Sequence, residues 1–185
     1  MLTPDLDHRR QQILIEATPG LRRMAALADL NNVTVGKFDA LQAASRARNV
    51  DLSIHPIASG EEISAAIEMA EASGVRALSV LSSPLLYANR KLIVDRVAAL
   101  HLPAIYEWPE AVDEGGFVAF GPRLSQLFLQ AIPRQLVQLL RGTKVSGIPI
   151  EQAIKIELVI NLKTAQTLGL TVPQTLLAEA TKVIH

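Results

Sequence analysis

The sequence predicts an α/β protein of three layers, with helices on both faces of a mainly parallel sheet. Short apolar runs bounded by turn residues recur along the chain, at Met24–Ala28, Ala77–Leu81 and Ala104–Tyr106. Such runs read as buried strands. Stretches with apolar residues at helical spacing separate them, and this alternation is the pattern of βαβ units with parallel pairing. Apolar residues make up 49% of the 185 positions, ample for the core that such a sheet needs.

Taken in order, residues Pro4–Thr18 read as a helix. Asp5 and Asp7 suit its N-terminus, Ile13, Leu14 and Ala17 form its apolar face, and Pro19-Gly20 stops it. The strand Met24–Ala28 delivers Asp29-Leu30-Asn31-Asn32 to its carboxyl end. A helix follows over Thr34–Arg48, then an alternating strand over Val50–Pro56. Ser59-Gly60-Glu61-Glu62 has the spacing of a capping box and opens an Ala-rich helix to Ser73, closed by Gly74. Ala77–Leu81 is the next strand, ending in Ser82-Ser83-Pro84. A helix over Tyr87–Leu100 buries Leu92, Ile93, Val97 and Leu100.

Leu102–Pro122 then carries two strands. The first ends at Tyr106 and opens into a polar loop, Glu107-Trp108-Pro109. The second, Phe117–Phe120, follows Gly115-Gly116. Arg123–Arg141 is amphipathic, with Pro133 placed to kink it. Val145–Ala153 reads as a linker or crossover, and Ile154–Ile160 as a strand. Asn161 suits the N-cap of a helix over Leu162–Leu168, and Pro173 the start of a last helix to Ile184.

Ligands of open α/β sheets bind beyond the carboxyl ends of the strands. Three groups stand there. Asp29, Asn31 and Asn32 can hydrogen-bond a ligand, or form an ordinary Asx turn and helix cap. Ser82, Ser83 and Pro84 can hold an anion at a helix entrance, or simply cap it. Glu107 can pair with an amine, and Trp108, the only tryptophan, can stack on an aromatic or cover a cation. The alternative for this pair is a surface carboxylate beside a packed indole.

Other chemistries find little support. The 18 basic and 18 acidic residues balance, which points away from a nucleic-acid partner. Without cysteine there are no disulfides, thiolate metal sites or Cys catalysis. His8, His55, His101 and His185 share no metal-ligand spacing. There is no G-x-S-x-G elbow, and Asp113-Glu114-Gly115-Gly116 is not a phosphate loop. The reading is recognition rather than catalysis, with no cofactor and no metal. The start, MLTPDLDHRR, lacks the apolar segment of a signal peptide.

Three strings carry a specific resemblance: LPAIYEWPEAVDEGGFVAFGP, LVQLLRGTKVSGIPIEQ and KIELVINLKTAQTLGLTVPQTLLAEATKVI. They resemble the C-terminal half of ABC-transporter substrate-binding proteins of the family that includes tryptophan-binding members. ELVINLKTAQTLGLTVP is the most specific piece, and RRQQILIEATPGLRRMAALAD looks like the start of that family's second lobe. The resemblance implies a type I periplasmic-binding-protein fold, of which this chain carries the second lobe. It also implies a small organic solute, such as an amino acid, as ligand, with an ABC permease and its ATPase as partners and a periplasmic or extracytoplasmic location.

By that resemblance, residues 1–112 are the second-lobe core and 113–145 complete a first lobe absent from this chain. Residues 146–185 return to the second lobe. Phe117, Val118, Phe120, Leu124, Leu127, Phe128, Ile132, Leu136 and Leu139 then lack their neighbours, and a homodimer is expected. The rival readings are a non-transport oligomeric interaction module and a Rossmann-like enzyme.

Overall fold

The computed structural model describes residues 6–32, 36–126, 129, 132–147 and 155–185. Among them seven strands form one sheet: β1 Arg23–Asp29, β2 Asp51–Ile57, β3 Leu78–Val80, β4 Ala104–Tyr106, β5 Val118–Pro122, β6 Ile156–Asn161 and β7 Lys182–Ile184. Their order across the sheet is β2-β1-β3-β4-β5-β6-β7. All neighbours pair parallel except β5 and β6, which are antiparallel. The helices are α1 Asp7–Ala17, α2 Lys37–Arg46, α3 Ile63–Ala72, α4 Pro84–Ala88, α5 Arg90–Ala99, α6 Pro109–Asp113, α7 Leu124–Gln126, α8 Ile132–Leu140, α9 Leu162–Thr167 and α10 Gln174–Glu179.

Side chains of a strand alternate between faces, and here both faces are buried. Ala25, Leu27, Leu78, Val80, Ala104 and Tyr106 pack toward Ile63, Ile67, Ile93 and Val97 of α3 and α5. Met24, Ala26, Ala28 and Ile105 pack toward Ile13 and Leu14 of α1, Leu41 of α2 and Leu176 of α10. Double burial explains the near-continuous apolar runs. Each fully buried Ile or Leu contributes about 1.5–3 kcal/mol.

The three layers and the parallel core match the sequence reading, and several details differ. The expected helix over Tyr87–Leu100 is two helices, α4 and α5, meeting at Asn89. Its Nδ2 donates to the Leu85 carbonyl at 2.9 Å and ends the first helix. The polar loop after Tyr106 contains α6, with Pro109 at its first turn, where no backbone donor is needed. The Ser59–Glu62 box forms only in part. Ser59 Oγ donates to Glu62 Oε1 at 3.2 Å rather than accepting from the backbone, because a 3-10 turn over Gly60–Glu62 precedes α3. Pro133 is the second residue of α8 as described, and residues 130 and 131 before it, where the expected kink would fall in part, lie outside the described residues. The last helix stops at Glu179, and Lys182–Ile184 is the edge strand β7.

The most consequential correction concerns residues 117–122. They were expected to leave for another lobe, yet β5 lies inside this sheet between β4 and β6. Phe117 and Val118 are buried in their own chain and Phe120 is half-buried. β6 is therefore interior, not an edge. Thr34, Leu127, Phe128 and residues 148–154, including part of the Val145–Ala153 linker, lie outside the described residues.

Candidate functional site

Because β1, β3 and β4 run parallel, the residues that follow them share one rim. Asp29, Asn31, Asn32, Ser82, Ser83, Pro84, Glu107 and Trp108 all stand there. Hydrogen bonds tie the first six residues' loops together. Asn32 Nδ2 donates to the Ser82 carbonyl at 2.7 Å, and Asn31 Nδ2 to the Ala58 carbonyl at 3.2 Å.

The rim is divided by the plane of the sheet. Asp29 follows Leu27 in alternation and lies on the α3–α5 face. There Ser83 Oγ donates to Asp29 Oδ2 at 2.6 Å. Asp29 Oδ1 accepts the Asn31 N–H at 2.9 Å, an Asx turn. Ser83 Oγ also accepts the N–H groups of Leu85 and Leu86 at 3.0 and 3.3 Å, which makes it the N-cap of α4, with Pro84 next to it. Both residues are buried, and the pair satisfies itself.

Glu107 follows Tyr106 and faces the other way, toward α1. It is 6% exposed, and its Oε2 has no hydrogen-bond partner among the described residues. Burial pushes its carboxyl above the usual glutamate range. The charge of Arg10 and a hydrogen bond from Ser82 oppose this without cancelling it. Its backbone is pressed by β5: a Cβ on Gly121 would lie 2.2 Å from the Glu107 carbonyl oxygen. Only glycine permits that approach.

Beside Glu107 lies a buried ion network that the sequence reading did not single out. Arg10 Nη2 meets Asp7 Oδ1 at 2.5 Å, Lys37 Nζ meets Asp7 Oδ2 at 2.6 Å, and Arg10 Nη1 donates to the Phe120 carbonyl at 3.0 Å. Burial alone would raise the Asp7 carboxyl. Arg10 and Lys37 outweigh it and hold the group below the usual aspartate range. Asp7 and Arg10 stand three residues apart on one helix face, a spacing visible in the sequence.

Trp108 is half-buried and meets Tyr87 edge to face, with ring centroids 5.4 Å apart. The Arg90 guanidinium lies over the Tyr87 ring at 4.6 Å and pairs with Glu114 at 2.7 Å. Tyr87 is a further residue that sequence reasoning did not place at the rim. Its position three residues past Pro84, on the short helix that opens at the rim, was the available signal. Among the described residues no group of three or more His, Asp or Glu side chains converges as a metal site would.

A family model described as ABC transporter substrate binding protein matches residues 5–184. No curated protein sequence matches significantly. Among solved structures, the chain resembles an ABC domain in complex with L-Trp from Streptococcus pneumoniae. The TM-score is 0.78 at 22% identity, over 97% of this chain and 62% of that one. A conserved domain protein from Vibrio cholerae gives 0.77 at 17% identity, over 96% and 60%. A ligand-free, open substrate-binding protein with adhesive properties from Clostridium difficile gives 0.62 at 17%, over 94% and 58%. These likenesses show the fold. The chain spans about three fifths of the length of each.

Proposed function

As the chain belongs to the ABC transporter substrate-binding protein family, we propose that it is the solute-binding component of an ABC importer and acts without catalysis. Its ligand is a small organic solute carrying an amine, and amino acids are the class to test. The observation that carries this reading is Glu107, a buried carboxyl with an unpaired Oε2 at the rim, followed in the chain by Trp108, which meets Tyr87. An ammonium group would pair with Glu107, and the rings offer an apolar or cation-covering wall. The L-Trp bound to the Streptococcus pneumoniae relative is one solute of this kind.

In this reading Asp29, Ser83 and Pro84 shape the rim, Asn31 and Asn32 fix its loops, and Ser82, Glu107 and Trp108 meet the solute. The site works outside the cytoplasm and delivers to a permease and its ATPase. A second lobe would supply the opposite wall of the cleft, and residues beyond Arg123 would lead toward it. One lobe leaves a ligand largely in water, whereas ligand pockets bury most of it. This chain alone therefore binds weakly. Calorimetry against an amino-acid panel tests this, and submicromolar affinity for a monomer would contradict it.

A second reading rests on α8, where Ile132, Leu136, Val137, Leu139 and Leu140 are all at least 40% exposed. Apolar surface of this kind marks an association face. We read it as the surface through which two copies of this chain pair. Light scattering at micromolar concentration should give a dimer that Leu136→Asp shifts to monomer. A clean monomer before the substitution refutes this reading.

A further inference from the structure

The end of the sheet opposite the candidate rim holds a concavity of 610 Å³. The segments that lead into β1, β3 and β4 form its walls, together with Leu168 and Leu170 after α9. Three arginines line it, Arg22, Arg23 and Arg76, against one carboxylate, Glu71.

The arginines are placed in a way that a merely solvated surface does not explain. The Arg76 N–H donates to the Arg23 carbonyl at 3.0 Å, so the segment before β3 lies beside the start of β1. Both side chains are exposed and line the concavity. Like charges lining one concavity repel each other. Glu71 makes no ion pair with either among the described residues.

Helix C-termini attract cations, and that accounts for Arg23. Its Nη1 donates to the Ser73 carbonyl at the end of α3 at 3.2 Å, and its guanidinium lies on Gly74. It does not account for Arg22 and Arg76. Both side chains are exposed and make no hydrogen bond or ion pair with a described residue. Beneath them the floor is apolar: Leu21, Val75 and Leu102 are buried, and Leu100 and Leu168 are half-buried.

We propose that this concavity is a second binding site, for a small organic anion of two or more negative charges, such as an organic phosphate or a polycarboxylate. Guanidiniums pair bidentately with phosphate and carboxylate oxygens. An anion bridging Arg23 and Arg76 removes their repulsion, and Arg22 closes the third side. The apolar floor receives the body of the ligand, and the volume suits a small molecule. The site stands at the far end of the strands from Glu107 and does not depend on the solute.

Inorganic tripolyphosphate is the probe, followed at low ionic strength by calorimetry and amide chemical shifts. The expected result is saturable one-site binding that moves the amides of Gly20, Gly74 and His101. It should raise the thermal midpoint of the wild type. Arg76→Glu should weaken binding about tenfold or more, as losing a charged hydrogen bond implies. With Arg23 given a counter-charge, its midpoint without anion should match or exceed the wild type. Arg22→Ser should weaken binding by a smaller factor. Binding that never saturates, affinity unchanged in Arg76→Glu, or shifts confined to Asn32 and Glu107 would each overturn the proposal.

Discussion

Asp29 with Ser83, and Glu107 with Ser82, are two acid–serine pairs on one rim, on opposite faces of the sheet. Their residue types are nearly the same, and their chemistry differs. Asp29 has both oxygens occupied, and the Ser83 hydroxyl donates once while accepting twice. Glu107 keeps an oxygen with no described donor, and burial raises its pKa. The first pair is a lock between two loops. The second, on the proposed reading, is the group that a ligand would complete. What separates them is the count of satisfied lone pairs, because a buried acceptor left open is costly unless something arrives to fill it.

If the Glu107 side rests on the ion network under it, Asp7→Asn should have the largest effect. Removing one partner of a buried ion group costs about 3–5 kcal/mol, read as a shift in the denaturant midpoint. Asp7 titrates below its ordinary range. Its contribution is thus present above the unfolded value and lost as pH falls through the folded one. A midpoint unchanged at neutral pH would show that the network contributes nothing.

Ser83→Ala should come next. It removes the cap of α4 and leaves Asp29 Oδ2 without its donor, a loss of about 1–3 kcal/mol. If the Asp29 pair were a ligand group instead of a lock, stability would hold and only binding would fall.

Glu107→Gln should cost the least stability and change the pH profile most. The carboxyl is raised, so its contribution is present below the ordinary glutamate value and lost as pH rises through the folded value. Glutamine cannot ionise and should abolish that decline. Thermal midpoints across mildly acidic to neutral pH check this, and parallel curves for wild type and variant would contradict it.

The rim itself was legible. Met24–Ala28, Ala77–Leu81 and Ala104–Tyr106 are bounded apolar runs, and parallel pairing carries whatever follows them to one edge. The division of that rim was not. Strands buried on both faces show no polar–apolar alternation, so nothing in Leu27–Asp29 or Tyr106–Glu107 tells which layer each acid faces. β7 was hidden for another reason. Lys182–Ile184 is three residues long and continues the helical spacing of Leu176 and Leu177, and only its pairing with β6 makes it a strand. The place of β5 was obscured because its apolar residues suit either lobe, whereas the antiparallel register from Val118 against Ile160 to Pro122 against Ile156 assigns it here.

The central claim is that Glu107 and Trp108 meet the solute. Because Trp108 is the only tryptophan, its indole N–H gives one unambiguous signal in a proton–nitrogen correlation spectrum. Titration with millimolar amino acids should move that signal, and the amides of Ser82 and Glu107, for at least one member of the panel. Glu107→Gln should suppress the response while the Asn31 amide, held in the Asx turn, keeps its position. An indole signal that stays fixed across the whole panel, or one that moves equally in Glu107→Gln, would contradict the account.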